Sequence, residues 1–168
     1  MHPYVELAVK TIRAYATTGA KLAPPLPLPE TMKSRAGVFV SLKKHGELRG
    51  CIGTILPTTE NLALEIINNA VSASAFDPRF PPVDTGEIEE ISVNVDVLSS
   101  PEPVEDMTGL DAKKYGVIVQ AGGRRGLLLP DIEGVDTPKE QIEICRRKGG
   151  ISPDEHVEIK RFTVTRYK

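Results

Sequence analysis

The sequence predicts an α+β fold, in which about three helices flank a mainly antiparallel β-sheet of five or more strands. Segments with helical spacing or helix caps occur in three places, and other segments alternate apolar and polar residues. Short glycine-containing turns join two pairs of alternating segments, which is typical of antiparallel hairpins. With 168 residues and no sequence boundary, the chain is predicted to be one domain, 1–168.

The three helices follow from periodicity and end signals. Residues 4–19 place apolar side chains three and four apart and end at a glycine. The second helix is predicted to begin at Thr58 or Thr59 as the N-cap and to end near Phe76, because a proline follows. The third, over 137–149, starts with a capping box and a proline and ends at two glycines.

The strands are predicted as two hairpins and two further segments. Residues 36–55 form a hairpin that turns at "KKHG", and residues 116–130 form a second hairpin with "GGRRG" at its tip. Between them, residues 91–97 alternate strictly between valine or isoleucine and polar residues, as a half-buried strand does. The tail from 155 to 168 is interpreted as one final strand.

Composition narrows the classes of protein that this chain can represent. The formal net charge is -2 with both signs mixed along the chain, which argues against a general nucleic-acid binder. No apolar run approaches a membrane span, and the N-terminus lacks the pattern of a secretion signal. We therefore expect a cytoplasmic protein with two reduced cysteines, no membrane contact, no metal centre and no cofactor fingerprint.

The segment "GELRGCIGT" is the first candidate for chemistry. Strict strand alternation would place Arg49 and Cys51 on one face, and Leu48 and Ile52 on the other. A cation beside a thiol favours the thiolate, so Cys51 is the candidate nucleophile or reactive thiol.

A nucleophilic cysteine also needs a base, and none is evident. His45 lies about 20 Å away along an extended strand, and the sequence does not place His156. The alternative is that Cys51 is a small buried apolar residue, as most free cysteines are.

A second candidate cluster joins this strand to the loop "FDPRFPPVDTGE". Asp77 and Arg79 follow a helix that begins soon after the Arg49 strand, so the three side chains are predicted to meet at one end of the sheet. Two arginines there would bind a phosphate or carboxylate group of a substrate. The alternative is a structural Arg–Asp pair that fixes the loop.

Arg124 and Arg125 in "GGRRG" form a second candidate anion site, for which a plain hairpin turn is the alternative. RNA binding would require these two residues, Arg49 and Arg79 to form one patch. Cys145 lies on the apolar face of the third predicted helix, and we assign it to the core.

Three motifs, "LRGCIGT", "DPRFPPV" and "GGRRGLLLP" in that order, closely resemble the AMMECR domain family. Its bacterial and archaeal members are called AmmeMemoRadiSam system protein A. The similarity runs from "HPYVELA" near the start to "CRRKGG" and a closing "RY".

The resemblance implies an α+β fold with a larger and a smaller subdomain. It also implies a pathway shared with a Memo-like protein and a radical-SAM protein, for which nucleic-acid modification has been suggested. We therefore expect an enzyme subunit or substrate-handling partner that acts on RNA or another anionic substrate. The alternative is a non-catalytic adaptor whose Arg-x-Cys surface recognises a partner or an anionic ligand. The resemblance assigns no catalytic residue.

Overall fold

The computed structural model describes residues 1–168. Its helices are α1 (Pro3–Thr18), α2 (Leu62–Ala75) and α3 (Pro138–Gly149), with short 3-10 turns at Glu30–Met32, Ile88–Glu90 and Met107–Gly109. Its strands are β1 (Val38–Lys44), β2 (Glu47–Gly53), β3 (Ile91–Leu98), β4 (Glu102–Val104), β5 (Gly116–Ala121), β6 (Arg124–Leu128), β7 (Glu158–Phe162) and β8 (Val164–Tyr167).

The chain divides into two compact units, one of residues 1–98 with 165–168 and one of residues 99–164. Each unit is built on one four-stranded sheet, in the orders β2-β1-β3-β8 and β4-β7-β5-β6. The α+β class and the three helices are confirmed, but the prediction of one sheet with five or more strands is wrong. Periodicity identifies strands without saying which of them pair. The tail shows this directly, since the predicted single strand is two strands, β7 and β8, in different sheets.

The first sheet buries one face against α1 and α2. Val38, Val40 and Leu42 lie on that face and are completely buried, as their alternation predicts. Helix α1 begins at the N-cap His2, whose ring accepts a backbone N–H of the first turn. It ends at Gly19, where φ of +72° is favourable only because there is no Cβ.

Helix α2 has a different N-cap from the predicted one. Asn61 accepts a backbone N–H of the first turn at 2.9 Å, so the prediction of Thr58 or Thr59 is wrong. Those two threonines instead donate their hydroxyl groups to the buried Glu65, at 2.9 and 2.6 Å, and Thr54 adds a third hydroxyl at 2.6 Å. The loop before α2 is therefore held by a carboxylate inside the helix.

The second sheet packs α3 against β5 and β6. The N-cap Thr137 is confirmed, and Cys145 is completely buried in the core, as predicted. Burial raises the pKa of the Cys145 thiol to about 12. The predicted hairpin is also confirmed, with β5 and β6 joined through Gly122 and Gly123. The short strand β4 was not predicted, because its three residues include Pro103 and carry no alternating pattern.

Candidate functional site

A β-bulge in β2 changes the predicted faces of the "LRGCIG" segment. Cys51 pairs with Ser41, but the pairing then shifts so that Lys43 lies opposite Leu48, which leaves Arg49 as an extra residue. Paired residues share a face, so Leu48 and Cys51 are on the same side of the sheet. The prediction that strict alternation separates them is therefore wrong.

Arg49 is engaged away from Cys51. Its Nε and Nη2 donate to the two carboxylate oxygens of Glu87 at 2.7 and 3.1 Å, and both side chains are only 12% exposed. The Glu87 carboxylate also lies 4.0 Å from the ammonium group of Lys44. Lys44 is on the side of β1 that carries the core residues, so the Arg49–Glu87 pair is on the side of the sheet opposite Cys51. The Arg49 guanidinium lowers the pKa of Glu87, so the pair stays ionised.

Asp77 and Arg79 do meet Cys51, through its backbone. The Cys51 N–H donates to Asp77 Oδ2 at 3.0 Å, and Arg79 Nη2 donates to the Cys51 carbonyl oxygen at 3.2 Å. Strand β2 is an end strand, so these outward-facing groups have no neighbouring strand. The aspartate–arginine pair supplies the acceptor and the donor that such a strand would supply, and it caps an edge that is otherwise open to pairing.

The same pair sets the electrostatics beside Cys51. Asp77 accepts Arg79 Nε at 3.0 Å and Nη2 at 2.8 Å, and its side chain is 2% exposed while that of Arg79 is 54% exposed. The hydrogen bonds from Arg79 hold the pKa of Asp77 well below its usual range against the effect of burial, and the Cys51 N–H adds to them. A buried, ionised carboxylate thus fixes a half-exposed guanidinium.

The Cys51 thiol is half-buried and is not activated. Burial raises its pKa, Arg79 only partly offsets that effect, and Asp96 and Asp77 add to the rise. No hydrogen bond joins the thiol to a histidine; His45, for example, contacts Glu90 at 2.7 Å. The thiol therefore stays protonated at neutral pH.

A second ion pair near Cys51 was not predicted from the sequence. Asp96 of β3 is 2% exposed and accepts Nε and Nη2 of Arg166 at 2.8 and 2.7 Å. The available signals were the polar positions of β3 and the closing "RY", but neither reveals that β8 lies beside β3. We call the sheet side that carries Cys51, Ser41, Asn94 and Asp96 the Cys51 face.

The second predicted anion site lies in the other unit. Arg124 forms an ion pair with Glu155 and also donates to the Gly150 carbonyl oxygen at 2.9 Å. Hydrogen bonds from Arg124 lower the pKa of Glu155 to about 2. Arg125 is exposed on β6. The Glu155 carboxylate is 33% exposed, so its negative charge is on the surface beside Arg124, unlike the buried carboxylate of Asp77.

The sequence of this α+β protein places it in a known family. The sequence profile of the AMMECR1 family matches residues 5–168, and the chain belongs to this family. A protein of Thermotoga maritima is 58% identical over 170 residues, which cover 99% of this chain and 98% of that protein.

Two further similarities extend the family relation. A protein of Clostridium acetobutylicum is 49% identical over 99% of this chain, and the match covers 36% of that longer protein. The crystal structure of an uncharacterized protein from Pyrococcus horikoshii superposes with a TM-score of 0.87 at 33% identity, covering 97% of this chain and 88% of that one.

Two general features of the structure bear on ligand classes. None of its helices is both long enough and apolar enough to span a membrane. No group of three or more histidine, cysteine, aspartate or glutamate side chains is arranged to hold a metal ion.

Proposed function

We propose that the Cys51 face binds an anionic group of a substrate or partner, and that Arg79 contacts this group. One observation carries the proposal: the buried carboxylate of Asp77 fixes the half-exposed Arg79 side chain against the backbone of Cys51, whose own side chain is half-buried. A guanidinium held in this way is pre-organised, so less rotamer entropy is lost when it binds an anion.

The charge of the face supports the same proposal. By strand register, Lys43 lies on the Cys51 face beyond Ser41, and its side chain is exposed. Three cations, those of Arg79, Arg166 and Lys43, therefore accompany two carboxylates. The whole chain has a net charge of -2, so this face differs in sign from the average surface.

Substrate binding fits the thiol better than nucleophilic attack does. The raised pKa of Cys51 and the lack of a histidine contact both oppose nucleophilic catalysis. Cys51 then supplies a small, polarisable wall beside the anion. In the wider setting, we propose a cytoplasmic substrate-handling subunit that works with Memo-like and radical-SAM proteins. RNA is one anionic substrate within this proposal, and it would be contacted by Arg79 without the four-arginine patch expected from the sequence, because Arg49 is bound to Glu87.

Alkylation of Cys51 tests the proposal. The rate with anionic iodoacetate, divided by the rate with neutral iodoacetamide, reports the positive potential at the thiol. We expect inorganic phosphate to lower this ratio by about two- to fivefold, as an interaction of about 0.5–1 kcal/mol with an exposed cation implies. Cys145 is fully buried and serves as an unreactive internal reference.

Two double variants separate the site from general charge effects. Asp77→Asn with Arg79→Gln keeps the net charge, and phosphate should no longer change the ratio. Arg13→Gln with Glu89→Gln removes an exposed ion pair elsewhere, and phosphate should act as it does on the wild type. A phosphate effect of equal size in both double variants would refute anion binding at Arg79.

A further inference from the structure

A second arginine–aspartate pair on the Cys51 face repeats the geometry of the first. Arg166 donates Nε and Nη2 to the two oxygens of Asp96, just as Arg79 does to Asp77. In both pairs the carboxylate is 2% exposed, while the guanidinium side chains are 51% and 54% exposed. Each buried aspartate therefore holds a cation at a fixed position on the surface.

Strand register sets the spacing between the two cations. Cys51, Ser41 and Asn94 form one row across β2, β1 and β3, and Asp96 lies two residues further along β3. Arg79 binds at the outer edge of β2 and Arg166 binds at β3, so their guanidinium groups are separated by two strand spacings across the sheet and two residues along it, about 12 Å in all. A single phosphate is too short to contact both groups, whereas two linked phosphates match this length.

The side chains between the two cations carry no charge: Ser41 and Asn94 are polar, and Phe39, opposite Asp96, is aromatic. Asn94 is half-buried and its amide can donate hydrogen bonds to phosphate oxygens, whereas Ser41 is only 9% exposed and lines the floor of the row. Neither carries a negative charge that would repel a polyanion. The row is therefore suited to the middle of a ligand whose two ends are anionic.

We propose that the Cys51 face binds a ligand with two linked anionic groups, of which diphosphate is the simplest, with one group at Arg79 and the other at Arg166. This inference rests on the proposed function and specifies its ligand class. Asp77 and Asp96 act as positioning residues, because they contact the arginines and not the ligand.

Calorimetric titration with inorganic phosphate and inorganic pyrophosphate tests the inference. One added charge-assisted contact should make pyrophosphate bind the wild type about ten- to a hundredfold more tightly than phosphate. The Asp96→Asn, Arg166→Gln variant keeps the net charge at -2. It should lose this advantage and bind both probes with about the wild-type affinity for phosphate, within about twofold.

The outcomes distinguish this inference from the proposed function. If Asp77→Asn with Arg79→Gln leaves phosphate binding unchanged, the proposed function fails. If phosphate binding needs Arg79 but pyrophosphate shows no advantage, or keeps its advantage without Arg166, only the second contact is refuted. Should the Asp96 variant not fold, Arg166→Lys keeps the buried carboxylate paired and loses the bidentate fork. It should lower the pyrophosphate-to-phosphate ratio and leave phosphate affinity unchanged, and an unaltered ratio would refute the inference.

Discussion

Asp77→Asn is the substitution that probes the strand-edge cap most sharply. The wild-type carboxylate accepts two N–H groups from the Arg79 guanidinium, at 3.0 and 2.8 Å, and backbone N–H groups of Cys51 and Arg79, each at 3.0 Å. Asparagine is the same size but has one acceptor oxygen, and its NH₂ group faces guanidinium donors. The variant therefore removes the charge and half of the acceptors without opening a cavity.

The expected loss of stability depends on the burial of Asp77 and on the exposure of Arg79. Hydrogen bonds to a charged group contribute about 1.5–3 kcal/mol, and breaking a fully buried ion pair costs about 3–5 kcal/mol. Arg79 is 54% exposed and can regain water contacts, so the lower range applies. We expect Asp77→Asn to lower the free energy of unfolding by about 2–3 kcal/mol at pH 7.

The pH dependence gives this expectation a definite sign. The pKa of Asp77 is lower in the folded protein than in the unfolded chain, so its contribution is complete above the unfolded value of about 4. That contribution declines as pH falls towards the folded pKa, at no more than about 1.4 kcal/mol per pH unit. The stability difference between wild type and variant should therefore narrow between pH 7 and pH 3.

Urea unfolding followed by circular dichroism measures this difference. Asp84→Asn is the matched control, because Asp84 is exposed and accepts a single backbone N–H, from Gly86. The control should change stability by less than about 0.5 kcal/mol. The account of the cap is refuted if Asp77→Asn costs no more than the control at pH 7, or if its cost does not narrow with acid.

Two further substitution and titration experiments test other parts of the structure. Glu65→Gln should destabilise the protein by about 2–3 kcal/mol in urea unfolding, because hydroxyl groups of Thr54, Thr58 and Thr59 donate to the buried carboxylate. Burial raises the pKa of Glu65, but these hydrogen bonds outweigh burial and bring the pKa below its usual value. The loss of stability in Glu65→Gln should therefore also shrink as pH falls below about 4. The rate of Cys51 alkylation by iodoacetamide, plotted against pH, should have its inflection above the pKa of an ordinary thiol. An inflection near neutral pH would contradict the conclusion that the thiol is not activated.

The fold was predictable wherever the signals were local. The cap at Thr137, the stop at Gly19 and the apolar helix face that buries Cys145 each depend on residues within a few positions of one another. Pairing between distant strands is not encoded in that way. The alternation of β7 and β8 marks them as strands, but nothing local assigns them to different sheets.

The candidate site was predictable only in part, for the same reason. The approach of Asp77 and Arg79 to the Cys51 strand was expected, but the contact is with the backbone of Cys51, which no side-chain pattern reveals. A one-residue bulge redirected Arg49, because alternation cannot reveal an inserted residue. The Asp96–Arg166 ion pair was not predicted, because its two residues are 70 positions apart in the sequence.

Close contacts at Gly50 and Gly53 show why the central motif has glycine at these two positions. A Cβ at Gly50 would collide with the carbonyl oxygen of Ala73 in α2, and one at Gly53 would enter the ring of Phe39. These glycines let β2 lie against the helix and under the aromatic ring. The motif around Cys51 is thus partly structural, and its binding role depends on Arg79.

An NMR titration of the ¹⁵N-labelled protein with inorganic phosphate tests binding at Arg79 most directly. The Cys51 amide proton is hydrogen-bonded to Asp77, and Asp77 is bonded to Arg79, so an anion at Arg79 should shift the Cys51 amide signal. We expect saturable shifts at Cys51 and the Arg79 side chain that disappear in the Asp77→Asn, Arg79→Gln variant. Saturable shifts confined to other cationic segments, such as Arg146 and Arg147 on α3, would contradict the proposed site.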